Sequence, residues 1–314
     1  MRAPLAAGLA ALLIGAAGGC GGEDTAPQPG GLPSAGGGGV LRYSVPDLPA
    51  DLDPLAADSR DQRLVSRQVY EPLVGTTRAP YSGDLSREDL AASITPSSTR
   101  AEWTIVLRPG VRFQDGAPLD VAALLANARR WIASPAGRRL LPRAFGVDSP
   151  RPGAVRLLFA GPARSVPTLL AAPELGLVSP YALEPAGSGR FRLRPGAEQA
   201  GTGPFEVGAR TEGSLDLVRH AGWWGSSIGL GPALDSVAVV EEPVAAERAA
   251  LLVNRGALAA EAVGATGLRV IADDPLIRVE GGRDGVAYVA SVRGLEGPPA
   301  LPRLSGVWLT NIGE

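Results

Sequence analysis

The stretch 103–132 constrains the fold most, because its hydrophobic pattern changes there from the period of a strand to the period of a helix. Trp103, Ile105 and Leu107 occupy alternate positions, which places them on one face of a strand. A second apolar set then recurs at spacings of three, four and seven residues, as on one face of an amphipathic helix. The members of this second set are Val121, Leu124, Leu125, Ala128, Trp131 and Ile132. The pattern predicts an α/β fold in which Leu124, Leu125 and Trp131 are buried.

Other segments predict further helices and strands in mixed order. Helices are expected over 58–70, ending before Pro72, and over 244–263, where Gly256 weakens the pattern. Strands are expected at 40–45, 205–209, 215–219, 235–240 and 286–292. Strands and helices in this order are typical of an α/β protein with extensive antiparallel pairing. The paired arginines Arg129 and Arg130 flank the apolar stripe and are expected to be solvated.

The chemistry-bearing residues are few. The 314 residues contain 30 basic side chains, all of them arginine, with one histidine (His220) and one cysteine (Cys20). A lysine nucleophile, a phosphate-loop lysine, zinc fingers, iron–sulfur clusters and disulfides are therefore excluded. The net charge of −2 argues against a nucleic-acid partner. We predict a non-enzymatic protein with no catalytic residues, no metal site and no cofactor.

One enzyme motif is present in letter form. Residues 225–229 satisfy the Gly-x-Ser-x-Gly pattern of serine hydrolases with Ser227 at its centre. The hydrolase elbow needs a helix directly after the serine, whereas Leu230-Gly231-Pro232 follows here, and His220 lies upstream rather than downstream. A secreted hydrolase is thus the weakest of the functions considered, and a surface loop is the better interpretation.

The first 39 residues have the pattern of an export signal and a linker. Arg2 precedes the uncharged apolar run Ala3 to Ala17, which is shorter than the roughly 20 residues of a membrane span. The sequence Ala17-Gly18-Gly19-Cys20 resembles the bacterial lipobox, with alanine in place of the usual leucine. Residues 1–20 are therefore predicted to be a lipoprotein signal peptide whose Cys20 is lipidated, and 21–39 a Gly/Pro-rich tether. This would anchor an exported protein to the outer face of the cytoplasmic membrane, in the periplasm or at the cell surface.

Five segments, taken in order, resemble the bacterial extracellular solute-binding proteins of family 5, the dipeptide, oligopeptide and nickel receptors of ABC importers. The first segment is Leu52-Asp53-Pro54 with Val69–Val74, and the second is Trp103–Leu119, with Gln114 where the family usually has histidine. The third is Gly201–Phe205 with Trp223-Trp224-Gly225 downstream, and the fourth is the end of the predicted helix before Gly256. The fifth is Val289–Leu309.

The resemblance implies an α/β fold corresponding to the first lobe of a class II type periplasmic-binding protein, with the second lobe largely missing. Residues 40–76, 180–263 and 285–314 are expected to form a base subdomain, and 77–179 an inserted subdomain. Residues 264–284 would be a short remnant or connection, too few for a domain of the usual 50 or more. The surface facing the absent lobe is then expected to expose Tyr70, Trp223 or Trp224.

Two functions remain open from the sequence. The first is a membrane-tethered substrate-binding component of a peptide-type ABC transporter, with a peptide or other small solute and the permease subunits as partners. The second is a degenerate single-lobe lipoprotein that acts as an interaction or scaffold module without high-affinity solute binding. Tyr70, Trp223 and Trp224 are the ligand-facing candidates, because aromatic rings stack on bound solutes. For the tryptophan pair, simple packing of one buried and one half-buried ring is the competing interpretation.

Overall fold

The computed structural model describes residues 39–75, 90–187, 191–228, 232, 234–254, 257, 259–260, 264–274, 277–281 and 288–292. The predicted signal peptide, Cys20 and nearly all of the predicted tether lie outside these residues, as does 293–314. The helices are α1 Arg60–Val69, α2 Val121–Ala133, α3 Pro135–Leu140, α4 Val166–Leu169, α5 Ala245–Val253 and α6 Gly264–Ile271. The strands are β1 Val40–Val45, β2 Ala91–Pro96, β3 Glu102–Leu107, β4 Ala144–Arg151, β5 Ala154–Phe159, β6 Leu183–Pro185, β7 Phe191–Leu193, β8 Phe205–Thr211, β9 Ser214–Arg219, β10 Ser236–Glu241, β11 Ala259–Ala260, β12 Ile277–Gly281 and β13 Tyr288–Val292.

The larger sheet of the described chain has seven strands in the order β12-β13-β11-β1-β10-β9-β8. Its centre is parallel, since β1 pairs in parallel with both β10 and β11, while the strands on either side are antiparallel. The hairpin predicted at 205–219 is confirmed. Its strands run further than expected, because Thr211 pairs with Ser214 across a turn in which Gly213 adopts a φ of +79°.

A second sheet, formed between residues 91 and 159, is antiparallel in the order β2-β3-β5-β4. Helix α2 packs on it, and together they enclose a core that contains Trp103, Ile105 and Trp131. A separate core lies on the seven-stranded sheet and includes Tyr43 and Phe205. The described residues thus form two hydrophobic cores, one on the seven-stranded sheet and one on the four-stranded sheet.

Helix α2 begins where the sequence predicts, because the Asp120 carboxylate caps it by accepting a hydrogen bond from the Ala123 N–H at 2.9 Å. Leu124 and Trp131 are fully buried, as predicted. The prediction is wrong for Leu125, which is only half-buried at the edge of the core. It is also wrong for Arg130, which is 2% exposed. Arg130 can be buried because a carboxylate far away in the sequence pairs with it.

The helix predicted over 244–263 is shorter than expected. It ends at Val253, ahead of Gly256, and Ala259–Ala260 join the seven-stranded sheet beside β1. Glycine disfavours helix continuation, and sheet pairing satisfies the backbone that follows. Within the predicted connection 264–284 the chain forms α6 and β12. In the part of the chain that the structure describes, no helix has the length and apolar character needed to cross a bilayer.

Candidate functional site around Glu71 and the tryptophan pair

Three segments that are far apart in sequence meet at the C-terminal end of α1: that end itself, Gln114 and Gly201–Phe205. The N–H of Gly203 donates to the Val69 carbonyl at 2.8 Å. The Gln114 side-chain amide donates to the carbonyls of Gly203 and Phe205 at 3.2 and 2.6 Å. Gly201 lies so close to α1 that a Cβ there would be 1.8 Å from the Val69 carbonyl oxygen. Glycine is therefore required at position 201, because the backbone of α1 approaches it too closely for a side chain.

Glu71, the residue after Tyr70, is the ionisable group at the centre of this region. Its Oε2 accepts hydrogen bonds from the indole N–H groups of Trp224 at 2.8 Å and Trp223 at 3.4 Å. Burial raises the pKa of Glu71 from 4.5 to about 7, although the indole hydrogen bonds and the positive charge of Arg67 act in the opposite direction. The carboxyl thus titrates near neutral pH, a property that sequence patterns did not indicate.

The two tryptophan rings differ in what they can contact. Their centroids are 5.8 Å apart in an edge-to-face arrangement. Trp223 is buried, whereas Trp224 is half-buried and carries the Arg108 guanidinium 5.2 Å from its ring centre. Trp224 is therefore the member of the pair that reaches the surface.

Of the three rings among which exposed aromatic area was expected, Tyr70 and Trp223 are buried. The tryptophan pair therefore has the one buried and one half-buried ring of the competing interpretation. Tyr70 is 0% exposed and its hydroxyl donates to the Glu198 carbonyl at 2.9 Å. Burial raises the pKa of this phenol well above its ordinary value. The Tyr70 hydroxyl and the Trp223 indole N–H both donate to acceptors inside the protein, so the two rings can pack in the interior. A sequence pattern does not reveal such distant acceptors.

An open groove of about 560 Å³ lies next to the buried Tyr70 hydroxyl. Its polar lining includes Asp115, Glu198, Gln199 and Arg210, and the exposed ring of Tyr181 borders it. Arg210 pairs with Glu198 at 2.9 Å. No sequence pattern indicated a groove here, because it forms only when β8 packs beside the 181–199 segment.

Comparison with known proteins decides the family. The family model for bacterial extracellular solute-binding proteins, family 5 (middle part), matches residues 87–299. The chain belongs to this family. The glutathione-binding protein GsiB of Escherichia coli (strain K12) is 30% identical over 191 residues, which cover 59% of this chain and 35% of that protein. The family 5 chain thus spans about a third of the length of this curated relative.

Solved structures agree with the fold. The periplasmic binding protein AgaA of A. tumefaciens R10, in complex with agropinic acid, has a TM-score of 0.65 at 25% identity and covers 77% of this chain and 48% of its own. The Helicobacter pylori periplasmic binding protein DppA, in complex with the peptide STSA, has a TM-score of 0.62 at 19% identity, with coverages of 78% and 50%. The predicted fold class is confirmed as the α/β fold of periplasmic binding proteins, of which this family 5 chain spans about half the length. Because the family is extracellular, it implies an exported protein.

In the described part of the hydrolase motif of this family 5 chain, residues 225–228, the serine and the histidine of the sequence each bond to other groups. The Ser227 hydroxyl donates to the Trp224 carbonyl at 2.7 Å within a short 3₁₀ turn, Trp224–Ile228. His220 instead pairs through Nδ1 with the Glu206 carboxylate. The described residues contain no cluster of three or more His, Cys, Asp or Glu side chains that could hold a metal ion.

Proposed function

We propose that this chain acts as the substrate-binding component of a peptide-type ABC importer, tethered to the outer face of the cytoplasmic membrane through Cys20. The observation that carries the proposal is the family 5 match over residues 87–299. Relatives and neighbours named for binding glutathione or crystallised with a peptide support a peptide-like solute. The role needs no catalysis and no cofactor, in keeping with the few chemistry-bearing residues of the sequence.

Trp224 is the proposed ligand-contacting residue. It is half-buried, it is oriented by its hydrogen bond to Glu71, and it carries Arg108 beside its ring. A ring held in this way can stack on a flat or apolar part of a solute without losing much side-chain entropy on binding. Tyr70 and Trp223 are buried and would not contact the solute. Their internal hydrogen bonds would instead stabilise the site.

The transport mechanism proposed for such a receptor is closure around the solute. A ligand that contacts two facing surfaces favours the closed form, which then docks on the permease. Trp224, with the Arg108 guanidinium beside its ring, provides one such surface. A one-sided site buries only part of a ligand, so we expect millimolar affinity of the isolated chain for free peptides if it acts as the receptor, and undetectable affinity if it acts as the scaffold module.

The second candidate is a single-lobe lipoprotein that acts as an interaction or scaffold module. One observation favours it: two of the three aromatic candidates, Tyr70 and Trp223, are buried rather than exposed.

Thermal unfolding of the purified chain with a peptide library distinguishes the two candidates. The library would contain dipeptides, longer peptides and glutathione, each up to millimolar concentration. A ligand bound only by the native state must raise Tm in a saturable way. Trp224→Ala should abolish the rise, while Phe145→Ala, at an exposed aromatic of β4 outside the proposed site, should leave it intact. If no library member raises Tm, the solute-binding function is wrong and the scaffold function is favoured. Micromolar binding by the monomer in calorimetry would instead contradict the one-sided site.

A further inference from the structure

One end of the four-stranded sheet carries three exposed arginines, Arg100, Arg143 and Arg164, together called the arginine corner. Arg100 ends the turn between β2 and β3, Arg143 precedes β4, and Arg164 follows β5. The antiparallel register brings these three loops to the same end of the sheet, since Glu102 pairs with Leu158 and Ala144 with Phe159.

Backbone hydrogen bonds fix the three loops to one another. The Arg100 carbonyl accepts from the Ala163 N–H, and the Arg143 carbonyl accepts from the Ala160 N–H, both at 2.9 Å. Because positions 160 and 163 are three residues apart, they are separated by at most about 10 Å. Arg164 directly follows Ala163. The arginine corner is therefore a compact feature of the fold, and the Arg143 guanidinium is further held by the Ala160 carbonyl at 2.6 Å.

The positive charge of this corner is not neutralised by the described carboxylates. Among the residues that the structure describes, no ion pair involves Arg100, Arg143 or Arg164. The carboxylates on the neighbouring strands, Glu102 and Asp148, are both bound by Arg156, at 3.0 and 2.6 Å. Arg156 also lowers the pKa of Asp148, mainly through their hydrogen bonds. The cationic charge thus faces solvent.

The backbone at this corner is strained. Arg100 has a φ of 57° and Arg143 a φ of 68°, and the third described non-glycine residue with a positive φ, Ser165, is adjacent to Arg164. Glycine would adopt these conformations at lower cost. Backbone conformations of this kind cluster at functional sites.

An exposed aromatic ring completes the feature. Phe145, two residues after Arg143, lies at an irregular position of β4 and is 64% exposed. Cations next to an exposed apolar ring are typical of surfaces that bind the interface of a bilayer, where the ring enters the headgroup region and the cations contact anionic lipids. A free phosphate would gain nothing from the exposed Phe145 ring, and the net charge of −2 argues against a nucleic acid.

We propose that the arginine corner, together with Phe145, is a docking surface for a bilayer with anionic headgroups. Docking by this surface would orient the body of the protein on the membrane. It is independent of the proposed solute binding, and it adds a second, reversible contact to the proposed anchor at Cys20.

The test is vesicle co-sedimentation of the full chain carrying Cys20→Ser, which prevents acylation. The vesicles contain phosphatidylcholine alone, or one part phosphatidylglycerol to three parts phosphatidylcholine. We expect stronger partitioning onto the anionic vesicles, and its loss at high salt. The double variant Arg100→Gln/Arg164→Gln keeps the hydrogen bond of Arg143. It should weaken anionic partitioning by about fivefold for each arginine, or roughly 25-fold.

The matched control is Arg151→Gln/Arg269→Gln. It removes the same charge from two exposed positions, one of them at the opposite end of β4. Phe145→Ala provides a second test, since it should weaken partitioning while leaving the charge unchanged. The proposal is overturned if the control variant loses as much partitioning as Arg100→Gln/Arg164→Gln. It is equally overturned if neither that double variant nor Phe145→Ala changes partitioning, or if neutral vesicles bind as well as anionic ones.

Discussion

The guanidinium of Arg130 on α2 donates a hydrogen bond to the carboxylate of Asp53, a residue 77 positions earlier in the chain. Both side chains are buried, and the same Asp53 oxygen also accepts from the Leu193 N–H at 3.2 Å. Arg130 Nε donates in addition to the Phe191 carbonyl at 3.2 Å. This one pair therefore connects the helix of the four-stranded sheet to the segment after β1 and to β7.

Replacing Arg130 with methionine should destabilise the protein by about 3–5 kcal/mol, because it leaves the Asp53 carboxylate buried without its partner. Denaturant unfolding followed by tryptophan fluorescence would measure the change. Arg129→Met, at the exposed neighbouring position, is the control and should change stability by less than about 0.5 kcal/mol. Equal effects of the two substitutions would show that the pair has no special role.

Leu124 and Leu125 provide a matched test of how α2 packs. Leu124→Ala should cost about 2–5 kcal/mol, because the fully buried side chain leaves a cavity. Leu125→Ala should cost clearly less, on the order of 1 kcal/mol, since that side chain is only half-buried. Urea unfolding of both variants would check the order. A larger loss for Leu125→Ala would mean that the helix is rotated relative to the structure.

Glu71 should make the stability depend on pH. Its pKa is about 7 in the folded chain, above its ordinary value of 4.5. Between these values the folded state binds the proton more strongly than the unfolded state does, so stability falls as pH rises from about 4.5 to about 7. The loss is at most about 3 kcal/mol.

Glu71→Gln removes this titration while retaining an acceptor for the indole N–H groups. The free energy of unfolding of the variant relative to the wild type should therefore increase as pH rises through that window. Unfolding curves at several pH values would measure it, and the other titrating groups cancel in the comparison. Parallel pH profiles of the two proteins would contradict the raised pKa.

Cys20→Ser tests the predicted lipid anchor. The substitution should abolish acylation and release most of the protein from membrane fractions, because two or three acyl chains are what makes anchoring stable. Metabolic labelling with a fatty acid, together with fractionation, would follow both events. A variant that is retained on membranes as strongly as the wild type would refute the lipobox interpretation.

Local patterns predicted several elements correctly. Helix α1 ends at Val69, ahead of Pro72, and Ser59 caps it through a bond from the Gln62 N–H at 3.1 Å. Caps, turn residues and periodicity act over a few positions, so a single sequence contains them. The same holds for the hairpin of β8 and β9. The prediction that the last long helix extends to residue 263 is wrong. Ala259–Ala260 pair with β1, which is distant in sequence, and this pairing competes with helix continuation.

The strand-to-helix unit at 103–132, the α/β class and the family motifs are predictable from one sequence, since they depend on spacing along the chain. The folded chain was needed to show that both indoles of the tryptophan pair bind Glu71 and that the buried Tyr70 hydroxyl donates to the Glu198 carbonyl. It was also needed to show that three loops form the arginine corner. Each of these contacts joins residues that are far apart in sequence. Their burial, pKa and charge depend on which distant partner is adjacent, and that is fixed when the two cores pack.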